Sequence, residues 1–143
     1  MSCTLCDTFT NPDDQYRILY KDAHVFVMIN LEPIKDGHVM ILPIRHAEDL
    51  KDLTPEEAQA FLRLSNQCMD IVTSVYGITP MFMVNGWEFR TQAHLHAHVL
   101  PSHVGGTHRI YVAAEGTNEH HALNQEELRA MADRLRDGFL QKA

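Results

Sequence analysis

Three histidines recur at every second position in "QAHLHAHVLP", Gln92 to Pro101: His94, His96 and His98. Successive side chains of a β-strand point to opposite faces, so Gln92 and the three histidines share one face while Ala93, Leu95, Ala97 and Val99 share the other. The alternation predicts a half-buried strand whose apolar side packs on a core and whose imidazole side lines something wet. Serine or threonine would serve a merely solvated face, so three imidazoles in register among Ala, Leu and Val point to chemistry. Two kinds fit the spacing. Neighbouring imidazoles on one face can chelate a metal, as His-x-His pairs do in zinc or non-haem iron sites. A neutral imidazole can also attack phosphorus while its neighbours orient it and stabilise charge on the phosphoryl oxygens. Histidine suits this second task because a pKa of about 6.5 leaves it largely unprotonated at neutral pH.

A second group stands at the start of the chain, where "CTLC" places Cys3 and Cys6 at the spacing that lets two thiolates share one metal. A thioredoxin-like redox pair would want a βαβ setting, and none surrounds residues 3 to 6. The third cysteine, Cys68, falls on the apolar face of a predicted helix and reads as core.

The elements that must position these residues follow from the pattern. Tyr16–Tyr20 and Val25–Asn30 are strand-like runs around the polar "KDAH", a short hairpin pattern. "HVMILP", His38–Pro43, is a third apolar run, and "PMFMVN", Pro80–Asn85, a fourth. Thr54 opens "TPEE", with a capping hydroxyl, a proline at the first helical position and Glu57 three residues after the cap. Ala58, Phe61, Leu62, Ser65, Cys68, Met69, Val72 and Tyr76 then keep helical spacing until Gly77 supplies the stop. A last helix is expected from about Asn124, with Leu128, Met131, Leu135 and Phe139 in one stripe. The polar, glycine-containing stretch 102–121 reads as a loop or flap. Strands interrupted by one long helix, with another helix at the end, predict an α+β fold with an antiparallel sheet.

Composition narrows the function. The 143 residues, 45% of them apolar, suit one domain spanning 1–143. The formal charge is −7 and the lysines and arginines are scattered, so no polymeric nucleic acid and no anionic membrane is expected as partner. No apolar stretch approaches the roughly 20 residues of a membrane span, and residues 1–19 lack a signal-peptide pattern, which predicts a cytoplasmic protein. Three cysteines in such a chain argue for a metal or a free thiol over a disulfide framework.

"HLHAHVL" resembles the pattern of the histidine triad (HIT) family, His-φ-His-φ-His-φ-φ, with His94, His96 and His98 as the triad. "VFVMINLEPIKDGHVMILPIRH" looks like the family's second and third strands, and "MVNGW" like the Asn-Gly segment ahead of the triad. The resemblance covers about residues 3–101, leaving 102–143 as a loop and a C-terminal helix without family signal. It implies a five-stranded antiparallel sheet, a homodimer and a nucleotide substrate. By the same resemblance His96 would attack the α-phosphorus and become nucleotidylated, and His98 would contact the phosphate or leaving-group oxygen. The His94 segment would hold the tautomer of His96.

Further residues carry over one by one. Asn30 matches the ribose-binding position, and His38 and Asn85 are further candidates for the nucleotide pocket. Without the resemblance, Asn30 and Asn85 read as strand-end amides in turns, and His38 as a buried histidine bonded to backbone. The chain departs from the family just before the triad. In "RTQAH" Arg90 stands where the family has glutamine, and Thr91 keeps the hydroxyl. Thr91 is then a phosphate or leaving-group contact, and Arg90 either pairs with a phosphate of a longer polyphosphate or is an exposed loop arginine. An intact third histidine resembles the hydrolase branch, because a transferase branch has glutamine there. The Cys-x-x-Cys pair and "PIRH" resemble prokaryotic-type members, in which Cys3, Cys6, His46 and His94 would form a closed structural zinc site, with no organic cofactor implied. Such a clip would pin the N-terminus to the triad, and structural zinc contributes about 10–16 kcal/mol of apparent binding.

The expected activity is therefore hydrolysis of a phosphoanhydride or phosphoramidate bond at the α-phosphate of a nucleoside, on a dinucleoside polyphosphate or a nucleoside phosphoramidate. The alternatives are a transferase or phosphorylase of the same family, a protein whose three histidines hold one metal, and a non-catalytic nucleotide-binding module.

Overall fold

A computed structural model describes residues 3–30, 33, 37–84, 92–101 and 123–142. The chain opens with helix α1, Thr4–Thr10, for which Cys3 is the N-cap, its sulfur accepting the Cys6 N–H. No element was expected over these residues. Pro12–Arg17 forms a 3₁₀ turn with proline in its first positions and Asn11 as cap, so the first strand, β1, runs over Ile18–Lys21 and excludes Tyr16. β2 is Val25–Ile29, β3 is Val39–Pro43, β4 is Met81–Val84 and β5 is Ala97–Leu100. The "KDAH" turn is closed by Asp22, whose carboxylate accepts the N–H groups of His24 and Val25 at 2.7 and 2.8 Å.

The five strands form one antiparallel sheet in the order β1-β2-β3-β5-β4. Both faces of its centre are covered. Val25, Val27, Ile29, Val39, Ile41, Ala97 and Val99 point to one side and pack with helix α2, Pro55–Tyr76, and helix α3, Gln125–Lys142. Phe26, Met28, Met40 and Leu42 point to the other and pack with Leu5 and Phe9 of α1. Two-sided burial explains why β2 and β3 read as continuous apolar runs.

Helix α2 has the expected ends. Thr54 and Glu57 close a reciprocal capping box, and Gly77 caps the C-terminus at φ 69°. Helix α3 starts where expected, with Asn124 and Glu127 exchanging bonds of the same kind. The guanidinium of Arg136 on α3 donates to the carbonyls of Tyr16 and Ile18, fastening this helix across the start of β1. The predicted loop at 102–121 lies outside the described residues. No helix among the described residues is long and apolar enough to cross a membrane.

Candidate functional site

β5 begins at Ala97, so only His98 of the three histidines belongs to the sheet ladder; His94 and His96 lie in the segment leading into it. The alternation nevertheless persists. Leu95, Ala97 and Val99 enter the larger core, as expected. The imidazole side differs from expectation: His94, His96 and His98 are 0%, 6% and 9% exposed, so they line a buried seam and not a wet face. The period of two reports backbone direction, and it is blind to what the second face packs against.

Each histidine of the seam has its own partners. The Nε2 of His94 is 2.8 Å from the carbonyl oxygen of Pro43, at the end of β3. A carbonyl only accepts, so the ring proton sits on Nε2 and the Nδ1 lone pair is left for something else. That Nδ1 is 3.5 Å from the sulfur of Cys3 and 3.3 Å from that of Cys6, while the Nδ1 of His46 is 3.6 Å from Cys6. All four donor atoms lie within 4.8 Å of one another. A tetrahedron with Zn–S of about 2.3 Å and Zn–N of about 2.0–2.1 Å has S···N edges of about 3.5–3.6 Å, close to these three S···N separations. The four residues could hold a metal, and the carbonyl bond on the far side of His94 is the support that metal-ligating histidines usually have.

Electrostatics act in different senses on two of these donors. Burial and the neighbouring Cys3 thiol push the Cys6 thiol up to about 11, whereas a divalent cation among these donors would reverse that sign. Burial also holds the His94 pKa below its ordinary value, keeping the ring in the neutral form that a metal requires. A cleft of about 380 Å³ opens beside the cluster, and Asp7 and Glu48 add carboxylates to its wall.

On the inner side, the Nδ1 of His96 donates to the carbonyl of His94 at 2.7 Å, which places the lone pair of a neutral ring on Nε2. The His98 ring stands nearly perpendicular to that of His96, with centroids 4.9 Å apart. His98 is in turn bonded through Nδ1 to the Nε2 of His38 at 2.8 Å. Burial, then the neighbouring His96, push the His98 pKa down to about 3, so this ring is neutral at physiological pH.

The predicted substrate contacts divide. His38 is 1% exposed and immediately precedes β3, packed against His98. Asn30 ends β2 beside it, its N–H donating to the His38 carbonyl at 3.1 Å. Asn85, Arg90 and Thr91 lie outside the described residues. Three partners carry no sequence signal of their own: the carbonyls of Pro43 and Ala47, and the His38–His98 bond. Ala47 accepts from the N–H of Leu95 at 2.7 Å.

The chain has relatives. The HIT domain model matches residues 11–105, and the chain belongs to the HIT family. The nitrilase and fragile histidine triad fusion protein NitFhit of Caenorhabditis elegans is 32% identical over 72% of this chain, which spans about a quarter (24%) of that protein. Its crystal structure superposes with a TM-score of 0.71, at 25% identity over 86% of this chain and 27% of its own. The asymmetrical bis(5'-nucleosyl)-tetraphosphatase of Schizosaccharomyces pombe is 27% identical over 59% of this chain and 48% of its own length. An AP-4-A phosphorylase of Mycobacterium tuberculosis is 26% identical over 70% and 53% respectively. A zinc-bound histidine triad protein of Mycobacterium smegmatis shares the fold, with a TM-score of 0.72 at 19% identity over 100% of this chain and 99% of its own.

Proposed function

We propose that this chain is a nucleotide hydrolase that cleaves a phosphoanhydride or phosphoramidate bond at the α-phosphate of a nucleoside, with His96 as nucleophile. The observation that carries the reading is the 2.7 Å bond from His96 Nδ1 to the His94 carbonyl, which fixes the ring in the tautomer whose Nε2 can attack. In the first step Nε2 forms a bond to the α-phosphorus, and the bond to the leaving group breaks with its electron pair. In the second, water attacks the phosphoramidate so formed, releasing the nucleoside monophosphate and restoring the ring. His98, neutral and backed by His38, hydrogen-bonds the phosphoryl or leaving-group oxygens without giving up a proton; a phosphate leaving group departs as the anion, and a departing amine takes its proton from water. Asn30 is assigned to the ribose, Thr91 and Arg90 to the phosphates, and His38 and Asn85 to the walls of the nucleotide pocket. The relative named as a bis(5'-nucleosyl)-tetraphosphatase supports this substrate class.

Cys3, Cys6, His46 and His94 would hold one zinc ion in a filled tetrahedral shell, whose contribution is to fasten α1 to the triad segment. The active unit is read as a cytoplasmic homodimer. A second reading is favoured by the AP-4-A phosphorylase relative: inorganic phosphate, instead of water, resolves the intermediate and yields a nucleoside diphosphate.

The test is intact-protein mass spectrometry after rapid quenching with a dinucleoside polyphosphate and, separately, an adenosine phosphoramidate. The wild type should gain one nucleotidyl mass, whereas His96→Asn should gain none while still binding nucleotide. Turnover retained by His96→Asn removes His96 as nucleophile. A nucleoside diphosphate released only when phosphate is added selects the phosphorylase.

A further inference from the structure

His94 is held at every polar group it uses. Its Nδ1 faces two sulfurs, its Nε2 meets Pro43 and its carbonyl receives His96. The next peptide is held too, because the Leu95 N–H donates to Ala47, the neighbour of His46. This bond ties the backbone next to His46 to the backbone next to His94, two residues that both belong to the donor cluster. Among the described residues the pairing of β5 starts at Ala97, after both His94 and His96. The Leu95–Ala47 bond, the Pro43 carbonyl and the two sulfurs all restrain the residue whose carbonyl receives His96.

We propose that Cys3, Cys6 and His46 are positioning residues for His96: an ion bound by the cluster fixes His94, and the His94 carbonyl then fixes the tautomer and direction of the His96 ring. The inference rests on His96 being the nucleophile. It goes further in giving the cluster a role in the rate of nucleotidyl transfer, beyond holding the N-terminus. A ligand displaced by a few tenths of an ångström lengthens a 2.7 Å bond enough to weaken it, and outer-sphere contacts of this kind are commonly worth about 10–100-fold.

The test compares zinc-loaded, chelated and zinc-reloaded protein, with the ring nitrogens of His96 read by ¹⁵N NMR and assigned through His96→Asn. Zinc-loaded protein should show one tautomer, protonated at Nδ1. Chelated protein should show the two tautomers exchanging, and reloading should restore the first. In parallel, the maximal rate of nucleotidyl-adduct formation should fall at least tenfold on chelation, with the half-saturating nucleotide concentration within twofold.

If the chelated chain unfolds, the same spectra are followed during a zinc titration of His46→Asn, which removes a donor from the far side and keeps the other three. Its His96 signature should track zinc occupancy while far-ultraviolet circular dichroism stays constant. A His96 signature and adduct rate indifferent to zinc in folded protein overturn the proposal, as does protein that binds no zinc. Absence of any adduct in zinc-loaded wild type refutes the nucleophile reading, and the NMR arm still decides the coupling.

Discussion

The bond between His38 and His98 joins residues 60 positions apart and buries two imidazoles that only one shared proton can link. His98 titrates near 3 in the folded chain and near 6.5 when unfolded, so between those values the unfolded chain binds more protons. Its contribution to stability is complete above about pH 6.5 and is lost as the pH falls toward 3. Urea midpoints measured at pH 7, 6, 5 and 4 should therefore decline for wild type, and decline less steeply for His98→Gln. Parallel slopes would place the acid sensitivity elsewhere. At this scale the triad and the thiol pair were legible in the sequence by their spacing and by likeness to a family. The carbonyls of Pro43 and Ala47 and the pairing of His38 with His98 were not, because they depend on strand register and on loop paths that no local pattern encodes.

Among elements, α2 was the most legible because its start is written in side chains that bond one another locally, Thr54 with Glu57. The bidentate bond from Arg45, with two bonds at Thr54, holds the Glu57 carboxyl down to about 2 against the effect of burial. That pair ties the residue beside His46 to the helix start, and acid reaches it only below the ordinary carboxylate range. The start of β5 was less legible, since the period of two continues through Leu95 and His96 although the pairing does not. Helix α1 was missed because seven residues leave no room for a repeated stripe. Gly37, which leads into β3, has a physical reason to be glycine: φ is 89°, and a Cβ there would lie 2.5 Å from the ring of Tyr76 and 2.9 Å from Pro101. Gly37→Ala should cost about 1–3 kcal/mol in urea unfolding. It should also disturb the His38–His98 contact, read as an altered His98 NMR signal. Unchanged stability would show that the turn relaxes freely.

At the scale of the molecule, the sheet separates two packing regions, the larger closed by α2 and α3 and the smaller by α1. The smaller one has few apolar residues, so a metal held by the donor cluster would add to its attachment. Cys3→Ser combined with Cys6→Ser should therefore lower both zinc content, by elemental analysis, and the thermal midpoint, by more than about 4 °C for a loss above ~1 kcal/mol. Unchanged metal content would remove the clip. An antiparallel α+β arrangement was legible from the order of strands and helices. The burial of the histidine seam was not, because the alternation alone does not say what packs against the second face.

The sulfur of Cys6 and the imidazole of His94 stand 88 positions apart in the chain. At roughly 5–20 residues per second of synthesis, the thiols wait about 4–18 s on the ribosome before their fourth donor has even been polymerised. For that interval the nascent chain carries an uncapped dithiol, so the timing of metal delivery, and the oxidants met during translation, bear on how much of each batch of protein matures correctly.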